Sequence, residues 1–284
     1  MRFCRLGLIL FFVLSACHPA PSEPSEYQKN SFYPQDFKTP VSVLVQERNG
    51  QPFYMASGFL TNKEQGIFVT AKHFVDHLGG SDFKMFFNGK VYDGLAGVTP
   101  FTSDLALTGI EVSKFNLTDF PMALSLAESQ LKVGDKVRVL GIHPHPLALQ
   151  VDKVLVGIFG GYYNKSETKR EFVFDQLEAR VSNLALEIKN KDIEGTLEET
   201  GFISNTYIEI ITAEDHQFSF AGLSGGPVIN EKSEVIGVVS HGQTGGRQSF
   251  VEPFNTYKPW KILRLVPVNE LKKIGDSIST NHKQ

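Results

Sequence analysis

From Val41 onward the chain is written mostly in short apolar or alternating runs, broken by Gly, Asn and Asp. Val41–Val45, Gly58–Leu60, Ile67–Thr70, Lys84–Phe87, Leu105–Val112, Val137–Ile142, Val151–Ile158, Tyr207–Thr212 and Val235–Ser240 are such runs. A period of two places alternate side chains on opposite faces of an extended chain, so each run predicts a strand. Many short strands separated by turn residues predict an all-β barrel or sandwich. One segment breaks the rhythm. In "DQLEARVSNLALEIKN", Leu177, Val181, Leu184 and Ile188 recur at spacings of four, three and four. That stripe predicts a helix between residues 175 and 189, with Asp175 as its cap. A second helix is predicted in "NELKKIGDSI", after Pro267.

The first forty residues follow a different pattern. Arg2 and Arg5 precede an apolar run from Leu6 to Leu14, shorter than a membrane span needs, which reads as a targeting segment. The run closes on Leu14-Ser15-Ala16-Cys17, which resembles the bacterial lipobox. That resemblance implies a signal peptide over residues 1–16 and a lipid-modified Cys17 as the first mature residue. It also implies a protein held on the outer side of a membrane of the bacterial cell envelope. Residues 18–40, "HPAPSEPSEYQKNSFYPQDFKTP", carry five prolines and little apolar pattern, and read as an extended tether. The folded part is expected over about residues 41–276.

Composition narrows the class. The chain has 284 residues, 41% apolar and 21% charged, with a formal charge of −3. That is enough for one large domain or two small ones with a substantial core. With a pI near 6.3 and no basic tract, nothing points to a nucleic-acid partner. Its two cysteines are Cys4, inside the targeting segment, and Cys17. The folded domain is therefore expected to stand on its apolar core without disulfides.

The candidate chemistry centres on "FSFAGLSGGPVINEKSEVIGVVSHG", where Ser224 stands among glycines. A nucleophilic serine needs a base, a group to orient that base and donors for an oxyanion. Two upstream segments offer them: "GIFVTAKHFV", a strand running into His73, and "TSDLALTGIE", where Asp104 precedes an apolar alternation. His73, Asp104 and Ser224 then stand in the order His, Asp, Ser.

In that order and context the chain resembles the chymotrypsin-like, or trypsin-fold, serine proteases, most of all their disulfide-free bacterial members such as the protease domain of the HtrA type. Further matches are Ser57-Gly58-Phe59, "LKVGDKVRVLGIHPH", "VIGVVSHG" and "LVPVNELKKI". The resemblance implies two β-barrels, about residues 41–130 and 131–276, with a C-terminal helix and one helical insertion, within residues 162–205, in the second barrel. It implies a serine endopeptidase acting on polypeptides through an acyl-enzyme, with no cofactor and no metal. His73, Asp104 and Ser224 would form the triad, and the N–H groups of Gly222 and Ser224 the oxyanion hole. Phe218 and Ser219 would lie at the base of the primary specificity pocket, and Ser240, His241 and Gly242 along the edge that pairs with substrate backbone. Two departures stand out. Leu223 replaces the Asp or Asn that the family usually carries before the nucleophile, and Lys72 replaces a small residue beside His73, where it reads as a solvated cation.

Other readings fit less of the chain. Gly222-x-Ser224-x-Gly226 also matches the α/β-hydrolase elbow, but only Asp276 and His282 follow it, in a polar tail. His73-x-x-x-His77 lacks the Glu of a zinc-protease helix, because Phe74 holds that place. His77, His143, His145 and His216 read as loop or surface histidines. The remaining alternative is a degenerate trypsin-fold protein that binds peptides or partners without cleaving them, and Leu223 is the feature that raises it.

Overall fold

The computed structural model describes residues 40–48, 51–87, 90–95, 97, 103–114, 122–146, 170–187, 206–216, 220–244 and 260–273. The expectations for Cys17, the leader, the tether, the run 151–158, Phe218 and Ser219 lie outside these residues.

Among the described residues, twelve strands form two sheets. The first holds β1 (Val41–Arg48), β2 (Gln51–Asn62), β3 (Ile67–Thr70), β4 (Phe83–Phe87), β5 (Lys90–Asp93) and β6 (Ala106–Gly109), in the spatial order β5-β4-β1-β2-β3-β6. The second is a closed barrel of β7 (Lys136–Pro146), β8 (Arg170–Glu187), β9 (Thr206–His216), β10 (Pro227–Ile229), β11 (Val235–Thr244) and β12 (Trp260–Pro267), in the order β10-β11-β12-β9-β8-β7. Helix α1 (Lys72–Leu78) follows β3, and a helical segment, α2, covers residues 268–273 after β12. Nearly every alternating run among the described residues is thus a strand. The run Leu105–Val112 is the shortened one: only Ala106–Gly109 pairs, and the chain then turns through a 3-10 segment, Val112–Lys114.

Alternation decides where the cores sit. In β1, Val41, Val43 and Val45 face a seam shared with the second sheet, while Leu44 points into the core of the first. In β7, Val137 and Val139 fill the closed barrel, while Leu140 and Ile142 turn to the seam. Both faces of these strands are therefore covered. The seam joins Phe59, Val69 and Leu105 to Phe174, Tyr207 and Val238. The candidate chemistry lies along it.

The helix expected between residues 175 and 189 is instead part of β8, an 18-residue strand paired with β7 on one side and β9 on the other. The reason is arithmetic. Leu177, Ala179 and Val181 are buried at period two, with Glu178 and Arg180 exposed between them. A spacing of four is also a multiple of two, so Leu177 and Val181 share a strand face as readily as a helix face. The odd step to Leu184 comes from irregularities that follow Val181, where the register moves from Val181↔Ile210 to Asn183↔Glu209 and then Leu186↔Tyr207. Such bulges add a residue without ending the strand. Asp175 is no cap: it pairs with Gly141 in mid-ladder. Ile188 lies outside the described residues.

This placement has a measurable consequence. Ala179→Asp would put a charge inside the barrel and should unfold the domain or cost several kcal/mol. Glu178→Ala, one residue earlier, should change stability by no more than about 0.5 kcal/mol. Chemical denaturation of both variants checks the alternation, since a helix would not separate neighbours in this way.

Candidate active site

Strand pairing brings His73 and Asp104 together. Thr70, the last residue of β3, lies opposite Ala106, the first of β6. His73 follows that point by three residues, in the first turn of α1, and Asp104 precedes it by two. The Asp104 carboxylate is fully buried and grips the histidine twice. Its Oδ1 accepts the His73 backbone N–H at 2.9 Å, and its Oδ2 lies 2.8 Å from Nδ1. A carboxylate can only accept, so Nδ1 carries the proton and Nε2 is left as the basic nitrogen. Burial alone would lower the pKa of His73. The charge of Asp104, its hydrogen bond and the charge of Asp76 outweigh that, and the net shift is upward.

Lys72 departs from its expected role. Its side chain is buried and makes an ion pair with Asp76, one turn along α1. It is not a solvated cation.

Ser224 sits just after a tight turn. The Leu223 N–H bonds to the Phe220 carbonyl at 3.1 Å, and Gly222, third of the four residues, has φ of 96°. A positive φ at that place alone is the signature of a type II turn, which only glycine adopts without strain. Among the described residues, neither the Gly222 N–H nor the Ser224 N–H has a hydrogen-bond partner. Two adjacent donors are thereby left available beside the serine. The Ser224 hydroxyl donates to the Ser240 carbonyl at 3.3 Å and not to His73.

Three contacts hold this turn. Ser57 Oγ–H donates to the Gly222 carbonyl at 2.7 Å, and the Ser57 N–H donates to the Ser224 carbonyl at 2.8 Å. Leu223 is fully buried within the apolar core of the closed barrel. Gly225 and Gly226 allow close packing of the two sheets: a Cβ on the first would run into the Ser57 carbonyl and the Thr70 hydroxyl, and one on the second into the Leu140 carbonyl.

The residues expected at the substrate edge divide. Ser240 points inward, its hydroxyl donating to Asp104 Oδ2 at 2.6 Å, so its side chain supports the carboxylate and does not face the cleft. His241 is half-buried, with Nδ1 3.1 Å from Ser240 Oγ and Nε2 3.3 Å from Arg264 Nη1. Gly242 lies against the Phe220 ring. His143 and His216 are strand residues buried in β7 and β9, with their rings 5.4 Å apart, and not the surface histidines expected. Burial follows from their positions inside the barrel wall. Among the described residues no group of His, Cys, Asp and Glu is arranged to hold a metal ion.

Sequence reasoning passed over Ser57 as a functional group and missed Arg264. Ser57 was visible only as a letter in Ser57-Gly58-Phe59. Arg264 had a plainer signal, a lone cation inside the apolar run Ile262-Leu263-Arg264-Leu265-Val266.

Comparison with known proteins bears on this arrangement. The structure of Rv3671c from M. tuberculosis H37Rv, as an inactive serine-to-alanine mutant, superposes with a TM-score of 0.51 at 17% identity, over 86% of this chain and 88% of that one. At that identity the likeness is one of fold. Two other structures are titled as the Rv3671c protease: an inactive form (TM-score 0.47, 18% identity, 80% of this chain and 83% of that one) and the active form from M. tuberculosis (0.47, 17%, 81% and 77%). No curated protein matches the sequence. A sequence model of the Trypsin family, however, matches residues 27–261. That span takes in most of the chain, every strand but most of β12, and the cluster of His73, Asp104 and Ser224, and the chain therefore belongs to the Trypsin family.

Proposed function

We propose that the protein is a serine endopeptidase that cleaves polypeptides through Ser224, His73 and Asp104. The observation that carries this reading is the doubly held histidine: one buried carboxylate bonds both the backbone N–H and Nδ1 of His73. That grip fixes the ring and its tautomer, leaving Nε2 to act as base. In the reaction Ser224 Oγ leaves the Ser240 carbonyl, gives its proton to His73 Nε2 and attacks the scissile carbonyl carbon. The N–H groups of Gly222 and Ser224 stabilise the oxyanion. His73 then protonates the leaving amine, and an acyl-enzyme remains on Ser224. Water, deprotonated by the same nitrogen, hydrolyses it.

Leu223 does not weigh against catalysis in this reading. It anchors the turn by burial, where a charged residue would anchor it by an ion pair. The substrate backbone is taken to lie along β11 near His241 and Gly242, as an added strand. Phe218 and Ser219 are taken, from the family resemblance, as the floor of the specificity pocket, and a Phe at that place favours an apolar side chain over a basic one.

Ser224→Ala tests the assignment directly. The variant should fold, lose labelling by a fluorophosphonate probe and lose peptidase turnover by on the order of 10⁶-fold. Wild-type cleavage by Ser224→Ala would show that the nucleophile lies elsewhere.

The raised pKa of His73 gives a second test. Only the neutral ring can accept the serine proton, so activity falls as pH drops through the pKa of the free enzyme. Because that pKa is raised, the acid limb of kcat/KM should have its midpoint above the ordinary 6.5. A midpoint below 6.5 in a pH-rate profile would contradict the proposed hold of Asp104.

The lipobox-like leader supports a further part of the proposal, that Cys17 carries lipid and ties the enzyme to a membrane of the cell envelope. Stable anchoring takes two or more acyl chains or an equivalent second signal. Cys17→Ser should move the protein from the membrane fraction to the soluble one. A variant that still sediments with membranes would remove Cys17 from this role.

A further inference from the structure

Behind Asp104 a line of polar side chains runs across three neighbouring strands of the closed barrel. Ser240 Oγ–H donates to Asp104 Oδ2, His241 Nδ1 meets Ser240 Oγ, and Arg264 Nη1 meets His241 Nε2. Arg264 Nε lies 3.9 Å from Glu209 Oε2, and Glu209 also accepts from Ser182 Oγ at 3.0 Å. Register puts these groups side by side. His241 of β11 is opposite Arg264 of β12, and Arg264 is opposite Glu209 of β9. A bulge between Val239 and His241 re-aims the strand, which lets the consecutive side chains of Ser240 and His241 meet.

The chemistry of the groups fixes the direction of every bond. A guanidinium has only donors, so His241 Nε2 must accept. The ring proton then sits on Nδ1, which donates to Ser240 Oγ. Ser240 in turn gives its own hydrogen to Asp104, which can only accept. The line therefore starts at a cation, passes through a neutral imidazole and a hydroxyl, and ends on the carboxylate that holds His73. Bonds aligned in this way polarise one another.

We propose that Arg264 is a positioning residue for the triad: by fixing the tautomer of His241 it locks Ser240, and through Ser240 the carboxylate of Asp104, in the geometry that serves His73. The inference rests on the triad reading above. It explains a cation placed in an otherwise apolar strand. It also explains why His241 does not compete for protons: burial first, then the charge of Arg264, push its pKa down to about 4, with Asp104 opposing and His73 adding to the fall. Among the described residues, the charged and titratable groups facing His241 are Arg264 from β12, Tyr207 from β9, Asp104 from the loop before β6, and His73 from α1, with Glu209 of β9 on the far side of Arg264. Of these, Arg264 is the cation in direct contact with the ring.

The experiment uses the full chain with isotopically labelled histidine, and combines NMR titration with pH profiles of kcat/KM for a small p-nitrophenyl ester. In the wild type the His241 proton should sit on Nδ1, and the acid limb should follow a single proton. In Arg264→Gln the His241 pKa should rise from about 4, with burial still holding it below its ordinary 6.5, the ring proton should no longer be confined to Nδ1, and kcat should fall roughly tenfold with KM nearly unchanged. An Arg264→Gln protein with His241 still near 4 and its proton still held on Nδ1 would overturn the proposal. So would a wild-type His241 with its proton on Nε2, a result that needs no variant to fold. A wild type that neither cleaves the ester nor reacts with a fluorophosphonate would instead overturn the triad reading, leaving the NMR titration to decide the role of Arg264.

Discussion

The bond from the Ser57 hydroxyl to the Gly222 carbonyl spans 165 positions of sequence and joins the two sheets where the chemistry sits. Ser57 is used at every polar atom. Its N–H holds the Ser224 carbonyl, and its own carbonyl accepts the Thr70 hydroxyl at 2.8 Å, just before the His73 helix. The hydroxyl also accepts the Ile142 N–H from β7 at 3.0 Å. One buried residue thus relates the serine turn to the histidine helix through its backbone, and to β7 of the closed barrel through its hydroxyl. Each bond is worth only about 1 kcal/mol net, but a buried carbonyl left without its donor costs about 1–3 kcal/mol, so the arrangement resists partial rearrangement. The apolar seam around it supplies the cohesion; Ser57 supplies the alignment.

Asp104 depends on that alignment. A fully buried carboxylate is costly unless its oxygens are satisfied. Here one oxygen accepts the backbone of His73, and the other accepts Nδ1 of the same residue and the Ser240 hydroxyl. All three donors are placed by strand pairing: β3 with β6 on one side, and the bulged β11 on the other. The charge at the centre of the site is thus held by one backbone N–H and two short side chains that backbone register positions.

Much of this was legible in the chain before the structure, for a physical reason. A strand buried on one or both faces must write its alternation into the sequence: Ile67–Thr70 matches β3 at both ends, and Val235–Ser240 matches the start of β11, which runs four residues further to Thr244. His73, Asp104 and Ser224 could be found because each sits at the end of such a strand or in a glycine-rich turn. The misread segment failed for an equally plain reason. Period four fits both a helix and a strand, and the bulges after Val181 supplied the odd step that made the helix look better. What stayed hidden was pairing across long separations. No local pattern says that Ser57 will meet Gly222, or that Ser240 will turn from the expected substrate edge to Asp104.

Leu223 has one more consequence. The turn that carries the two free N–H groups is fastened by burial of an aliphatic side chain, packed so closely that a Cβ on Gly141 would come within 2.9 Å of it. An ion pair at this place would loosen with added salt and with protonation of its carboxylate. An aliphatic anchor has no charge to screen and no proton to gain. Its strength follows the hydration of apolar surface, which fades on cooling and is reinforced by strongly hydrated salts such as sulfate. The fastening of this turn therefore answers to temperature more than to ionic conditions.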